Sequence, residues 1–196
     1  MNNKKVLLIL ILVFVIVLGG AYTMYIKLGD SLGAEQLAVQ EAQTPNEDKS
    51  EDADDAGAEN IAPDFIVYDF DGNEVRLHDY LGKPIVLNFW ASWCGPCQME
   101  MPDFDEKYME IGEEVQFLMI NMTDGQRETV ESAAAFISEK GYSFPVFYDK
   151  NAEAAMAYAA YALPTTYFID KAGNALARAS GAIDADTLQR GIDLIK

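Results

Sequence analysis

Two residues carry the most pointed chemistry in this chain of 196: Cys94 and Cys97, its only cysteines. They frame Gly95-Pro96, follow Trp93, and stand where an apolar run gives way to a helical pattern. A cysteine at a helix start lies among backbone N–H groups without intrahelical partners, at the positive end of the helix dipole. Both favour thiolate over thiol. A second cysteine three positions on faces the same side of the first turn, so the two sulfurs can meet. Such a pair can open a disulfide: Cys94 attacks one sulfur of the substrate, and Cys97 resolves the mixed disulfide. Two other uses compete with this one. A structural bridge is possible, although so short a loop constrains little of the unfolded chain. A metal site would need more ligands, and the one histidine, His78, reads as a surface loop residue in Leu77-His78-Asp79-Tyr80.

The elements that must position the pair run from Ile61 to Lys196 as alternating strand and helix patterns. Phe65–Phe70 and Glu74–Leu77 flank Asp71-Gly72-Asn73, a hairpin signal. Ile85–Trp90 is nearly all apolar, as in a strand covered on both faces, and it leads into the cysteine turn. Pro96 to about Ile111 reads as a helix, with Pro102 as an interior break or kink. Val115–Met122 reads as a second buried strand. Arg127–Lys140 is helical, with Val130, Ala133, Ala134 and Ile137 on one face and Gly141 as its stop. A short strand at Pro145–Tyr148 and an alanine-rich helix at Ala152–Tyr161 follow. Strands Thr165–Asp170 and Ala175–Ser180 meet at Lys171-Ala172-Gly173-Asn174. Asp184–Ile195 closes the domain as an amphipathic helix, with Leu188, Ile192 and Ile195 inward. This order predicts an α/β sheet with helices on both faces.

Charge divides the chain into three stretches. Overall 14 Lys and Arg stand against 32 Asp and Glu, a net −18, which does not suit nucleic acid because phosphates require a basic face. Half of the residues are hydrophobic, so a wholly disordered chain is excluded. Residues 1–27 carry a net +3 and include Val6–Ile26, 21 residues without a charge. About 20 helical residues cross a bilayer. Lys4 and Lys5 on one flank, with Tyr22 and Tyr25 near the other end, predict an anchor whose amino terminus is cytoplasmic. The rival reading is a signal peptide cut after Ala21, behind Gly19-Gly20. Either places the domain outside the cytoplasm. Residues 28–60 carry a net −9 and no aromatic residue, and read as a flexible, solvated spacer. Residues 61–196, with a net −12, hold the domain.

Several stretches of this domain resemble the membrane-anchored TlpA/ResA-like branch of thioredoxin-fold proteins. They are Ala62-Pro63-Asp64-Phe65, Leu81-Gly82-Lys83-Pro84, and Leu87-Asn88-Phe89-Trp90-Ala91-Ser92-Trp93-Cys94-Gly95-Pro96-Cys97. Glu100-Met101-Pro102, Phe144-Pro145-Val146 and Leu163-Pro164-Thr165-Thr166-Tyr167-Phe168-Ile169-Asp170 follow in order, with Gly173 and Gly181 after them. The resemblance implies a thioredoxin fold, a central mixed sheet with helices on both faces and an extra N-terminal β-hairpin. It implies that Pro164 is a cis-proline beside the reactive pair, and that the edge at Leu163 pairs with an extended substrate segment. Trp93, Gly95 and Pro96 would shape the site, and Glu100 would move protons for the pair. An ordinary exposed helix acid is the alternative for Glu100, and plain core is the alternative for Trp90. Cytoplasmic thioredoxins carry a buried aspartate where this chain has Asn88, and an amide cannot act as an acid or base there.

By the same resemblance the activity is that of a thiol-disulfide oxidoreductase in the bacterial envelope, reducing protein disulfides and using no cofactor beyond its own dithiol. Its electrons would come from a CcdA- or DsbD-like membrane protein, and apocytochrome c is among the implied substrates. Two alternatives stand beside it. A redoxin-type thiol peroxidase needs a Pro-x-x-x-Thr-x-x-Cys arrangement, whereas Phe89, Trp90 and Ala91 precede this cysteine pair. A non-enzymatic copper chaperone or peptide-binding module is the other.

Overall fold

A computed structural model describes residues 37–39 and 60–196. The expected anchor Val6–Ile26 and most of the expected spacer lie outside the described residues. Among the described residues, no helix is long and apolar enough to cross a membrane.

Among the described residues eight strands form one sheet: β1 (Leu37–Val39), β2 (Ile66–Tyr68), β3 (Glu74–Arg76), β4 (Ile85–Trp90), β5 (Gln116–Asn121), β6 (Val146–Tyr148), β7 (Thr165–Ile169) and β8 (Ala175–Ser180). The helices are α1 (Gly95–Ile111), α2 (Val130–Lys140), α3 (Glu153–Ala157) and α4 (Ala185–Ile195), with a 3₁₀ turn at Leu77–Tyr80. Across the sheet the order is β1-β8-β7-β4-β5-β6-β2-β3. β4, β5 and β6 run parallel, while β7 is antiparallel to β4 and β8 to β7. The expected hairpin is present as β2–β3.

β4 is buried at all six positions, and its alternation divides the core between the two faces. Val86 and Trp90 face a cluster with Met101 and Phe104 of α1, Ala133 of α2, and Leu188 and Ile192 of α4. Ile85, Leu87 and Phe89 face the other side, with Phe65, Val67, Phe147, and Ala154 and Ala155 of α3. Helices therefore cover both faces, as the order of elements predicts. Local signals fix several ends. Thr129 caps α2, Gly141 stops it in the left-handed region at φ 72°, and the Asp184 side chain caps α4.

Two expectations change in the structure, and of the break or kink expected at Pro102 the break is excluded. α1 runs through Pro102 without a break. Pro102 is exposed, so the carbonyl that loses its partner lies where water can take it. The alanine-rich segment is helical only over Glu153–Ala157, because Tyr158 turns inward against Phe65, Phe89 and Tyr167 and donates to Pro63 O at 2.9 Å. Within the stretch expected as spacer, Leu37–Val39 pairs antiparallel with β8, in register Leu37 with Ala179. This uncharged run satisfies a strand edge that would otherwise lack hydrogen-bond partners.

Candidate active site

β4 ends at Trp90, and a turn closed by Cys94 N–H to Ala91 O at 3.1 Å delivers Cys94 to the start of α1. Cys94 is the N-cap residue of that helix, with extended backbone, and Pro96 occupies the first turn where a missing N–H costs nothing. The two cysteines are joined as a disulfide, with Cα atoms 5.3 Å apart. The N–H of Cys97 donates to Cys94 Sγ at 3.2 Å, so the sulfur sits where the helix start presents its donors. Cys97 is wholly buried, while Cys94 lines a groove of about 890 Å³. An incoming sulfur therefore meets Cys94 first.

The groove is lined by Trp93, Gly95 and Pro96 around the cysteine, and by Met156, Tyr161 and Leu163. Trp93, Met156 and Tyr161 expose large apolar surfaces to it. Arg127 lies over the Trp93 ring at 3.6 Å from its centroid, a cation–π contact. The Leu163–Pro164 bond is cis, and Pro164 O accepts from Gly181 N–H at 2.9 Å, which ties the start of β7 to the end of β8. Asp149 also lines the groove, yet it is buried: its Oδ2 accepts from Ala155 N–H at 2.8 Å, and burial pushes its carboxyl up.

Glu100, one helical turn beyond Cys97, is not the exposed acid of the alternative reading. It is 2% exposed. Its Oε1 accepts from Asn88 Nδ2 at 2.8 Å and its Oε2 from Ile183 N–H at 3.0 Å. Burial pushes its carboxyl up to about 8, against these two hydrogen bonds, which pull it down. Asn88 also donates to Thr166 Oγ1 at 2.9 Å, while its Oδ1 has no partner. An amide turned over would offer that oxygen to a protonated Glu100. Asn88 thus cannot titrate but holds the group that can.

Residues 58–177 match the AhpC/TSA family. Over 138 residues the chain is 36% identical to the thiol-disulfide oxidoreductase ResA of Geobacillus kaustophilus, covering 70% of this chain and 77% of that one. The chain belongs to the ResA-like thiol-disulfide oxidoreductases of this family. The ResA of Oceanobacillus iheyensis is 39% identical over 134 residues, with 66% of this chain and 68% of that one covered. Among solved structures, a putative thiol:disulfide interchange protein DsbE from Chlorobium tepidum superposes with a TM-score of 0.62 at 28% identity. It covers 69% of this chain and 95% of its own.

As a ResA-like oxidoreductase the chain brings Trp93, Cys94, Gly95, Pro96 and Leu163 to one groove. Cys97 and Glu100 stand behind it in the core. Trp90 is core: it is fully buried against Phe136, with ring centroids 5.9 Å apart. His78 is exposed in the 3₁₀ turn. Sequence reasoning missed Arg127, Met156 and Tyr161. All three come from loops or helix ends that reach the site only through the fold, and no local motif marks them.

Proposed function

We propose that this oxidoreductase works as a reductant of protein disulfides outside the cytoplasm, held at the membrane by Val6–Ile26. The observation that carries the reading is the unequal placing of the two sulfurs, Cys94 at the groove and Cys97 buried behind it. In the reduced protein, Cys94 thiolate attacks one sulfur of a substrate disulfide and expels the other as a thiolate. Cys97 then attacks Cys94 Sγ, releasing the second substrate thiol and closing the Cys94–Cys97 disulfide. Two electrons pass from the dithiol to the substrate. Glu100, which titrates near 8, can take the proton from Cys97 as that sulfur becomes nucleophilic. Leu163, which lines the groove beside Pro164, offers an edge for an extended substrate segment.

The reducing direction is supported by Gly95-Pro96 between the cysteines, the dipeptide of thioredoxin, whose potential is about −270 mV. The dithiol needs no further cofactor. A CcdA- or DsbD-like membrane protein would restore it, and apocytochrome c, with its own cysteine pair, is a fitting substrate. Cys97→Ser in the full chain should accumulate mixed disulfides through Cys94, and Cys94→Ser should form none. Equal reactivity of the two thiols would overturn the assignment of roles. Equilibration with a glutathione buffer should give a potential near that of thioredoxin. A value near about −120 mV, that of DsbA, would make the protein an oxidant instead.

A further inference from the structure

Glu128 has no part in the chemistry above, although it is fully buried and lies against the turn that delivers Cys94. Its Oε1 accepts from Ser92 N–H at 2.9 Å and from Asn121 Nδ2 at 2.7 Å, and its Oε2 accepts from Ser92 Oγ at 2.7 Å. The remaining polar group of Ser92, its carbonyl, accepts from Gln98 Nε2 at 2.5 Å. Every polar group of Ser92 is therefore held, two of them by one carboxylate that lies 36 positions along the chain. The loop presenting Glu128 is itself braced. Asp124 Oδ1 accepts from the N–H groups of Gln126, Arg127 and Glu128 at 2.8, 2.8 and 2.9 Å, and Glu128 O accepts from Gly125 N–H at 2.9 Å.

Burying a carboxylate is expensive, and an apolar residue would fill the same place at less cost. What the carboxylate adds is a two-pronged hold on a single turn. We propose that Glu128 is a positioning residue for the redox pair: through Ser92 it fixes the turn that sets Cys94 Sγ against the first N–H groups of α1. The proposal rests on the reading of Cys94 as the attacking thiol. The physical link is the short range of helix-terminus stabilisation, which falls off within the first turn. A turn free to shift carries the sulfur away from the Cys97 N–H, now at 3.2 Å, and lowers the thiolate fraction.

The test compares Glu128→Gln, Glu128→Ala and Ser92→Ala in the full, reduced chain. The readout is the pH profile of Cys94 alkylation by iodoacetamide, followed by mass. The charged groups near Cys94 are Glu100 from α1, Asp124 and Arg127 from the β5–α2 loop, and Asp149 and Lys150 after β6, and none of them is replaced in any variant. A glutamine keeps both bonds to Oε1 and can donate to Ser92 Oγ, so Glu128→Gln should restore the wild-type profile. Glu128→Ala should slow alkylation at neutral pH about threefold, the factor a helix-terminus interaction carries, and move the midpoint up. Ser92→Ala, which keeps the backbone bond and leaves the core intact, should move it part of the way. A faster reaction in both Glu128 variants would show that the carboxylate acts by its charge, and would overturn the proposal. So would an unchanged profile in Ser92→Ala, which remains decisive if Glu128→Ala does not fold. A wild-type chain alkylated first at Cys97 would instead remove the premise that Cys94 attacks, and the proposal with it.

Discussion

At the scale of single residues, Glu100 concentrates the consequences of burial. Its proton is held up to about 8, where an ordinary glutamate lets go near 4.5. Between those values the folded chain keeps a proton that the unfolded chain has lost, so stability falls as pH rises and levels off above the upper value. Glu100→Gln removes the titrating group, and Asn88 can turn over to offer its free Oδ1 to the new amide. The wild type should lose stability relative to this variant between about pH 5 and about pH 9, read from denaturant midpoints. Equal pH dependence in the two proteins would show that another group dominates. The same substitution should reshape the pH–rate profile of disulfide exchange if Glu100 moves protons for the pair. An unchanged profile would leave Glu100 a structural acid.

At the scale of elements, the closeness of α4 to β7 sets the packing behind the site. A Cβ placed on Gly191 would run into the ring of Phe168, which is fully buried on β7. Ile183, whose N–H holds Glu100, lies in the loop that leads into α4, so this packing also locates the proton-carrying group. Gly191→Ala gains about 1 kcal/mol in helix propensity and loses about 1–3 kcal/mol to overpacking, for a net destabilisation. A lower thermal midpoint is expected, and an unchanged or higher one would contradict the close approach. Elements whose signals are local formed as read: the hairpin around Asp71-Gly72-Asn73 and the stop at Gly141. Where tertiary contacts outweighed local preference, the outcome differed. Tyr158 ended α3 early by turning into the core, and the β8 edge drew Leu37–Val39 into the sheet.

At the scale of the whole molecule, the proposed tether bears on function. An anchor confines the dithiol with a membrane-borne electron donor and raises their effective concentration. Fractionation of cells expressing the full chain should leave it in the membrane at full mass, and a soluble form beginning near Tyr22 would show cleavage instead. Several features of this protein were determined by the sequence alone: the 21-residue uncharged span, the cysteine spacing, the order of strands and helices, and Gly-Pro between the sulfurs. Each is a property of adjacent or nearly adjacent residues, governed by periodicity, turn chemistry and transfer from water. The tertiary structure alone decided that Cys97 is buried while Cys94 meets the groove, that Asn88 holds Glu100, and that Glu128 reaches Ser92 across 36 positions. Those relations depend on which faces pack together and which polar groups lose water, and no short window of sequence contains both partners.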